Sequence, residues 1–226
     1  MAASSTNNLK LAEKGVWVSI IAYIVLSIGQ IAFAAIVHSS ALQANGFNNV
    51  TDIMGNIAIL IGLRLARIPA DSDHVYGHWK IESIASLISS FIMFFVGFEV
   101  LRETVMTLLS GKEEAIDPLG ALVGLFSAFV MLGVYLYNRA LAKKTNSQAL
   151  SAASKDNLSD AVTSIGTVVA ILASSVGWEW LDTAMAVVIW GFILKTAYDI
   201  FHESVFSLSD GFDENLVEEY REAICL

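Results

Sequence analysis

The chain holds one cysteine, Cys225, and two prolines, Pro69 and Pro118, in 226 residues. A lone thiol excludes an internal disulfide framework. Two prolines, with no Ser- or Gly-rich tract beside them, leave little room for a flexible linker between domains. Charge is sparse as well: 15% of residues are charged against 55% hydrophobic, and the mean hydropathy is +0.62. A chain of this length cannot bury all its apolar runs in one soluble core. Basic residues number 13 and acidic ones 22, a balance that leans toward cationic partners and away from nucleic acid. No nucleophile–base pairing and no phosphate-binding glycine loop stands in a polar segment, so nothing supports an enzyme.

What is present is a series of apolar runs. Windows of about 20 residues predict six membrane spans, near Gly15–Val37, Ala41–Ala66, His78–Leu109, Leu119–Leu141, Ser147–Ser175 and Trp180–Leu208. The expected fold is an all-α membrane protein of six transmembrane helices. Residues 1–14 form a polar leading segment, 15–208 the six-helix membrane domain and 209–226 a tail. Lys10, Lys14, Arg64, Arg67, Lys80, Arg139, Lys143 and Lys144 fall on one side of this arrangement. By the positive-inside rule both termini are then cytoplasmic. His38, at the outer end of the first span, is expected to be inert.

Two of the spans carry nearly the same polar insert. Asn48-Asn49-Val50-Thr51-Asp52 in the second matches Asp156-Asn157-Leu158-Ser159-Asp160 in the fifth, at a constant offset of 108 residues. In each copy the outer residues are four apart and share one helix face. At about 1.5 Å rise per residue, both copies reach the middle of a core roughly 30 Å thick. The second span descends where the fifth ascends, so the copies have inverted topology, a general layout of secondary transporters.

Polar side chains can serve merely as interhelical glue, and Asn49, Asn157, Thr51 and Ser159 fit that description. The aspartates do not, because no matching set of buried bases exists; Lys155 is the one cation nearby and can snorkel away. Crowded carboxylates in a low dielectric repel each other, so an empty site is expected to hold protons that an entering dication displaces. No histidine occurs in either insert. Imidazole suits zinc, whereas oxygen-only ligands suit magnesium, calcium or manganese. Affinity alone still ranks zinc above manganese, so the oxygen set narrows that gap, and geometry and the free cytosolic ion complete the preference for manganese.

At these residues the chain resembles the cation diffusion facilitator family, and within it the bacterial manganese-exporting branch. Four segments carry the likeness: Leu42 to Asp52; Gly62-Leu63-Arg64 with Pro69-Ala70-Asp71 and His74-Val75-Tyr76-Gly77-His78; Asp156 to Asp160; and Ser207-Leu208-Ser209-Asp210. The resemblance implies outward antiport of a divalent cation for protons, by rocking of a four-helix bundle against a helix pair. By position it assigns transport to Asn48, Asp52, Asp156 and Asp160, with Asn45, Asn49 and Asn157 as possible lining. Zinc carriers of the family usually have Asp or His at the first of these positions and His at the third, where this chain has Asn48 and Asp156.

The resemblance implies two further features. Asp71, His74 and His78 correspond to a second, cytosol-facing metal site of some members, and two histidines four apart with an upstream acid can grip a borderline ion. Lys80 and Asp210 correspond to a charge interlock near the cytoplasmic surface. Glu82, Glu99, Asp199, His202 and Glu203 are expected as interhelical or interfacial partners and not as ligands.

Family members usually continue into a cytosolic α+β domain that dimerises. Here 16 residues follow Asp210, and Glu214, Glu218, Glu219 and Glu222 suggest its opening helix. The expectation is a multi-pass exporter in a bacterial plasma membrane, exchanging manganese for protons, with no prosthetic group and a homodimer in the full-length form. Export of zinc, iron or cadmium through the same site is the alternative, and a metal-binding membrane protein that moves nothing is a more distant one.

Overall fold

A computed structural model describes residues 2–37, 40–75, 77–110, 118–175 and 178–211. Among them are six helices and no strand: α1 (Ala2–Val37), α2 (Ser40–Leu65), α3 (Lys80–Ser110), α4 (Pro118–Thr145), α5 (Gln148–Ser175) and α6 (Glu179–Leu208). Four are long and apolar enough to cross a membrane, over Asn7–Ile36, Lys80–Met106, Gly120–Thr145 and Ala184–Leu208. The two that fall short are α2 and α5, which carry the polar inserts.

The closest packing is of α1 on α2, α4 on α5, and α3 on α6, the last pair far apart in sequence. α1, α2, α4 and α5 make a four-helix bundle, and the α3–α6 pair lies against its α2 and α5 edge. Small residues permit close approach between helices in membranes. At Gly62 an added Cβ would stand 2.2 Å from the Cβ of Ala85, which is what lets α2 meet α3. Gly46 is pressed on Ile31 in the same way, and its carbonyl accepts the Ser27 hydroxyl at 2.8 Å.

The polarity is that of a protein turned toward lipid. On α3 the large exposed side chains Ile84, Ile88, Phe91, Phe95 and Phe98 recur every three or four residues, one stripe along one face. Ser19, Gln30, Asn49, Asn56, Asn138 and Asn157 are buried instead. A bilayer covers the stripe, while the polar groups must find partners inside the bundle.

The observed helices depart from the expected spans at two ends. α1 starts at Ala2 instead of Gly15. Its polar first turns are held by tertiary contacts: Ala12 is fully buried, Leu9 packs on the same cluster as Leu63 and Leu150, and Glu13 meets Arg64 at 2.8 Å and Arg67 at 3.0 Å. α4 runs to Thr145 and stops at Asn146, whose φ of 54° is the left-handed conformation asparagine tolerates. The Ser147 amide donates back to the Ala142 carbonyl at 3.3 Å, and the Ser147 hydroxyl caps α5 by accepting from the Leu150 amide at 3.2 Å. Glu82 on α3 completes this corner, accepting from the Ser147 hydroxyl at 2.5 Å and the Ala149 amide at 3.1 Å. A carboxylate at a helix N-terminus is well placed against the helix dipole. His38 and residues 212–226 lie outside the described residues.

Candidate metal site

Asp52 comes from α2, and Asp156 and Asp160 from successive turns of α5. One carboxylate oxygen of each lies within 4.8 Å of those of the others. Asp52 is buried and the α5 pair half-buried. One oxygen of Asp52, Oδ2, is buried with no hydrogen-bond partner. Lys155 does not neutralise the group, because its ammonium is committed to Glu203 on α6 at 2.6 Å. A carboxylate at the centre of a transmembrane helix costs about 2.5–3.5 kcal/mol, and Lys155 supplies no counter-charge to these three.

The amides of the two inserts do different work. Asn49 is buried and donates to Gln30 Oε1 at 2.8 Å, and Gln30 donates to Ser127 Oγ at 2.8 Å; this ties α2 to α1 and α4. Asn157 accepts from the Ser19 hydroxyl and from Asn138 Nδ2, both at 3.0 Å, and donates to the Tyr23 hydroxyl at 3.1 Å. Tyr23 in turn donates to Asp160 Oδ2. Asn56 donates to the Asp52 carbonyl at 2.9 Å. Asn48 and Asn45 stand one and two turns before Asp52 on α2, both exposed. Thr51 is exposed, whereas its counterpart Ser159 is buried with an unpartnered hydroxyl.

Sequence reasoning did not single out Tyr23, Ser19, Asn138 or Gln30. For the three on α1 the signal is a polar residue every three or four positions (Ser19, Tyr23, Ser27, Gln30) inside an otherwise apolar run, and for Asn138 a lone amide in the apolar run of α4.

A cavity of about 700 Å³ opens on the other face of α5, between α4 and α6, lined in part by Ser154, Lys155, Leu158, Lys195, Asp199 and Glu203. None of the three clustered aspartates lines it.

Asp71, His74 and His78 also converge, with one ligand atom from each within 4.8 Å of the others. Asp71 Oδ1 accepts the amides of Asp73 at 3.0 Å and His74 at 2.7 Å and faces His74 Nδ1 at 3.2 Å. Its other oxygen is 3.7 Å from His78 Nε2. The His74 backbone amide, more than any other contact, holds the Asp71 carboxyl below its usual range. The cluster is solvent-exposed apart from His78.

Lys80 Nζ meets the Asp210 carboxylate at 2.8 Å, joining the start of α3 to the end of α6. Asp210 has a φ of 55°. The Gly211 amide donates to Phe206 O at 2.8 Å and the Asp210 amide to Ser207 O at 3.4 Å, the paired bonds of a Schellman turn. Of the other acids, Glu82 caps α5, Glu99 pairs with Arg102 at 2.8 Å and Glu203 with Lys155. His202 stacks on Phe206.

The cation efflux transmembrane domain matches residues 16–209. The chain belongs to the cation efflux family, a family of transporters. It is 49% identical to the manganese efflux system protein MneS of Bacillus subtilis, over 96% of this chain and 75% of that protein. The uncharacterized transporter YdbO of the same organism is 43% identical over 97% and 76%. The manganese efflux system protein MneP, also from B. subtilis, is 29% identical over 95% and 75%. This chain therefore spans about three quarters of the length of these relatives.

Proposed function

We propose that the protein exports Mn²⁺ from the bacterial cytoplasm in exchange for protons. The ion binds at Asn48, Asp52, Asp156 and Asp160, midway through the membrane. All six helices span, both termini are cytoplasmic, and α2 and α5 run in opposite senses, so the two inserts meet at one depth. The observation that carries this reading is the approach of three carboxylates from two helices with no base among them. A dication or protons can balance that charge, and exchange of one for the other is antiport. Oxygen-only donors shrink the affinity advantage that zinc holds over Mn²⁺, and geometry and the free ion in the cytosol complete the selectivity; two relatives bear manganese efflux in their names.

The four-helix bundle and the α3–α6 pair are the two bodies that rock. The Lys80–Asp210 pair is the interlock that keeps α3 and α6 moving together at the cytoplasmic surface. Asp71, His74 and His78 form a weaker, cytosol-facing metal site.

The test is flux in sealed proteoliposomes loaded with a pH dye. A Mn²⁺ gradient drives proton movement in the opposite direction, and an imposed pH gradient drives Mn²⁺ uphill. Mn²⁺ binding without either flux identifies a metal-binding protein that moves nothing. Faster flux of zinc, iron or cadmium than of Mn²⁺ would move the substrate assignment to those ions.

A further inference from the structure

The metal-site reading leaves Tyr23 without a role, yet its side chain is fully buried on α1, packed among Leu26, Met131 and Ala161. Its hydroxyl ends a chain of hydrogen bonds that runs from Asn138 through Asn157. Asn138 Nδ2 donates to Ser19 Oγ at 2.7 Å and to Asn157 Oδ1 at 3.0 Å. That leaves the Asn157 amide nitrogen to face Tyr23, where it donates to the hydroxyl oxygen. A hydroxyl has one proton, and with its oxygen already accepting from Asn157 that proton goes to Asp160 Oδ2. Helices α1, α4 and α5 thus converge on one oxygen of one carboxylate.

Resting on the proposed transport site, we infer that Tyr23 is a positioning residue that biases Asp160 toward coordination through Oδ1 alone. The consequence is selectivity by ion size. Ca²⁺ takes 6–8 oxygen ligands and commonly binds carboxylates through both oxygens. With Oδ2 accepting from Tyr23, the carboxylate is turned so that bidentate binding through Oδ2 must bend or lose that hydrogen bond, which disfavours it. A smaller, six-coordinate ion loses nothing by this, and it gains a carboxylate already turned toward it. Asn157 serves the site through Tyr23 and not as a ligand.

Calorimetry on the purified full chain tests this, with Mn²⁺ and Ca²⁺ titrated separately and in competition. Tyr23→Phe keeps the ring and its packing but removes the donor. Loss of an outer partner of a metal ligand costs about 10- to 100-fold in affinity, so Tyr23→Phe should weaken Mn²⁺ about tenfold. Ca²⁺ should bind as before or more tightly, narrowing the preference for Mn²⁺ by about the same factor. Asn138→Ala, which leaves Asn157 free to turn, should narrow it in the same direction by less; it carries the test if Tyr23→Phe does not fold. Unchanged affinities in a folded variant, or equal losses for both ions, would overturn the assignment by showing that Tyr23 only packs. If the wild-type chain binds no Mn²⁺, the transport site itself is wrong; if it binds Mn²⁺ and the variants keep its preference, only the role of Tyr23 falls.

Discussion

Two acid-bearing clusters of the same size stand among the described residues, and they differ in how far their charge is already satisfied. In the loop, Asp71 Oδ1 accepts two backbone amides and faces His74. Water reaches most of the rest, so the loop closes on itself without a ligand. In the bundle, Asp52, Asp156 and Asp160 have neutral amides and one tyrosine around them, and the nearby lysine is taken by Glu203. Asp52 Oδ2 has no partner at all. Similar donor spacing therefore carries a different meaning in each place: local hydrogen bonding satisfies much of the loop cluster and leaves it at most the weaker metal site proposed above, whereas the buried one has no such compensation without the proposed cation.

The largest expected effect comes from opening the buried cluster. Asp52→Ala or Asp160→Ala should drop Mn²⁺ flux in proteoliposomes to background, more than about 100-fold, because partners outside the ligand shell alone are worth about 10- to 100-fold. Wild-type rates in both variants would dissolve the distinction between the clusters. Asp156→His sharpens it by giving the buried cluster the nitrogen donor that the loop already has. Zinc transport relative to Mn²⁺ should rise about tenfold, the equivalent of about 1.4 kcal/mol, and no rise would remove donor chemistry as the basis of selectivity.

Changing the loop should matter much less. His74→Ala with His78→Ala is expected to leave Mn²⁺ flux within about twofold, the scale of roughly 0.5 kcal/mol seen for substitutions at exposed sites. Flux lost in this variant would make the loop part of the path. The smallest effect is on pH. The Asp71 pKa is lowered from the ordinary 3.8 in the folded loop, so its contribution to loop order is fully present above that value. It fades as pH falls through the lowered pKa. Amide exchange at Asp73 and His74 should be unchanged between pH 7 and 5 by this group, and should speed up below the usual aspartate range. Equal protection below that range would show the Asp71 bonds to be inert.

Much of this was legible in the residues. Six helices follow from the apolar runs, and the three carboxylates stand out because charge within such runs is costly and because the insert repeats. The start of α1 was not legible, since Leu9, Ala12 and Glu13 are held as helix by partners on α2 and α5. Nor did the repeat disclose how its two copies diverge. Asn49 and Asn157 match in sequence, yet one braces α1 and α4 through Gln30 while the other orients Tyr23. Those partners lie on helices that the repeat does not include, and only packing brings them together. The Lys80–Asp210 contact joins residues 130 apart in the chain, and only the family likeness pointed to it.

The most direct measurement is the number of Mn²⁺ ions bound per chain when the loop histidines are both alanine. The account predicts one ion at wild-type affinity in that background, and none once Asp160 is also changed to alanine. An ion lost with the histidines and kept without Asp160 would contradict it.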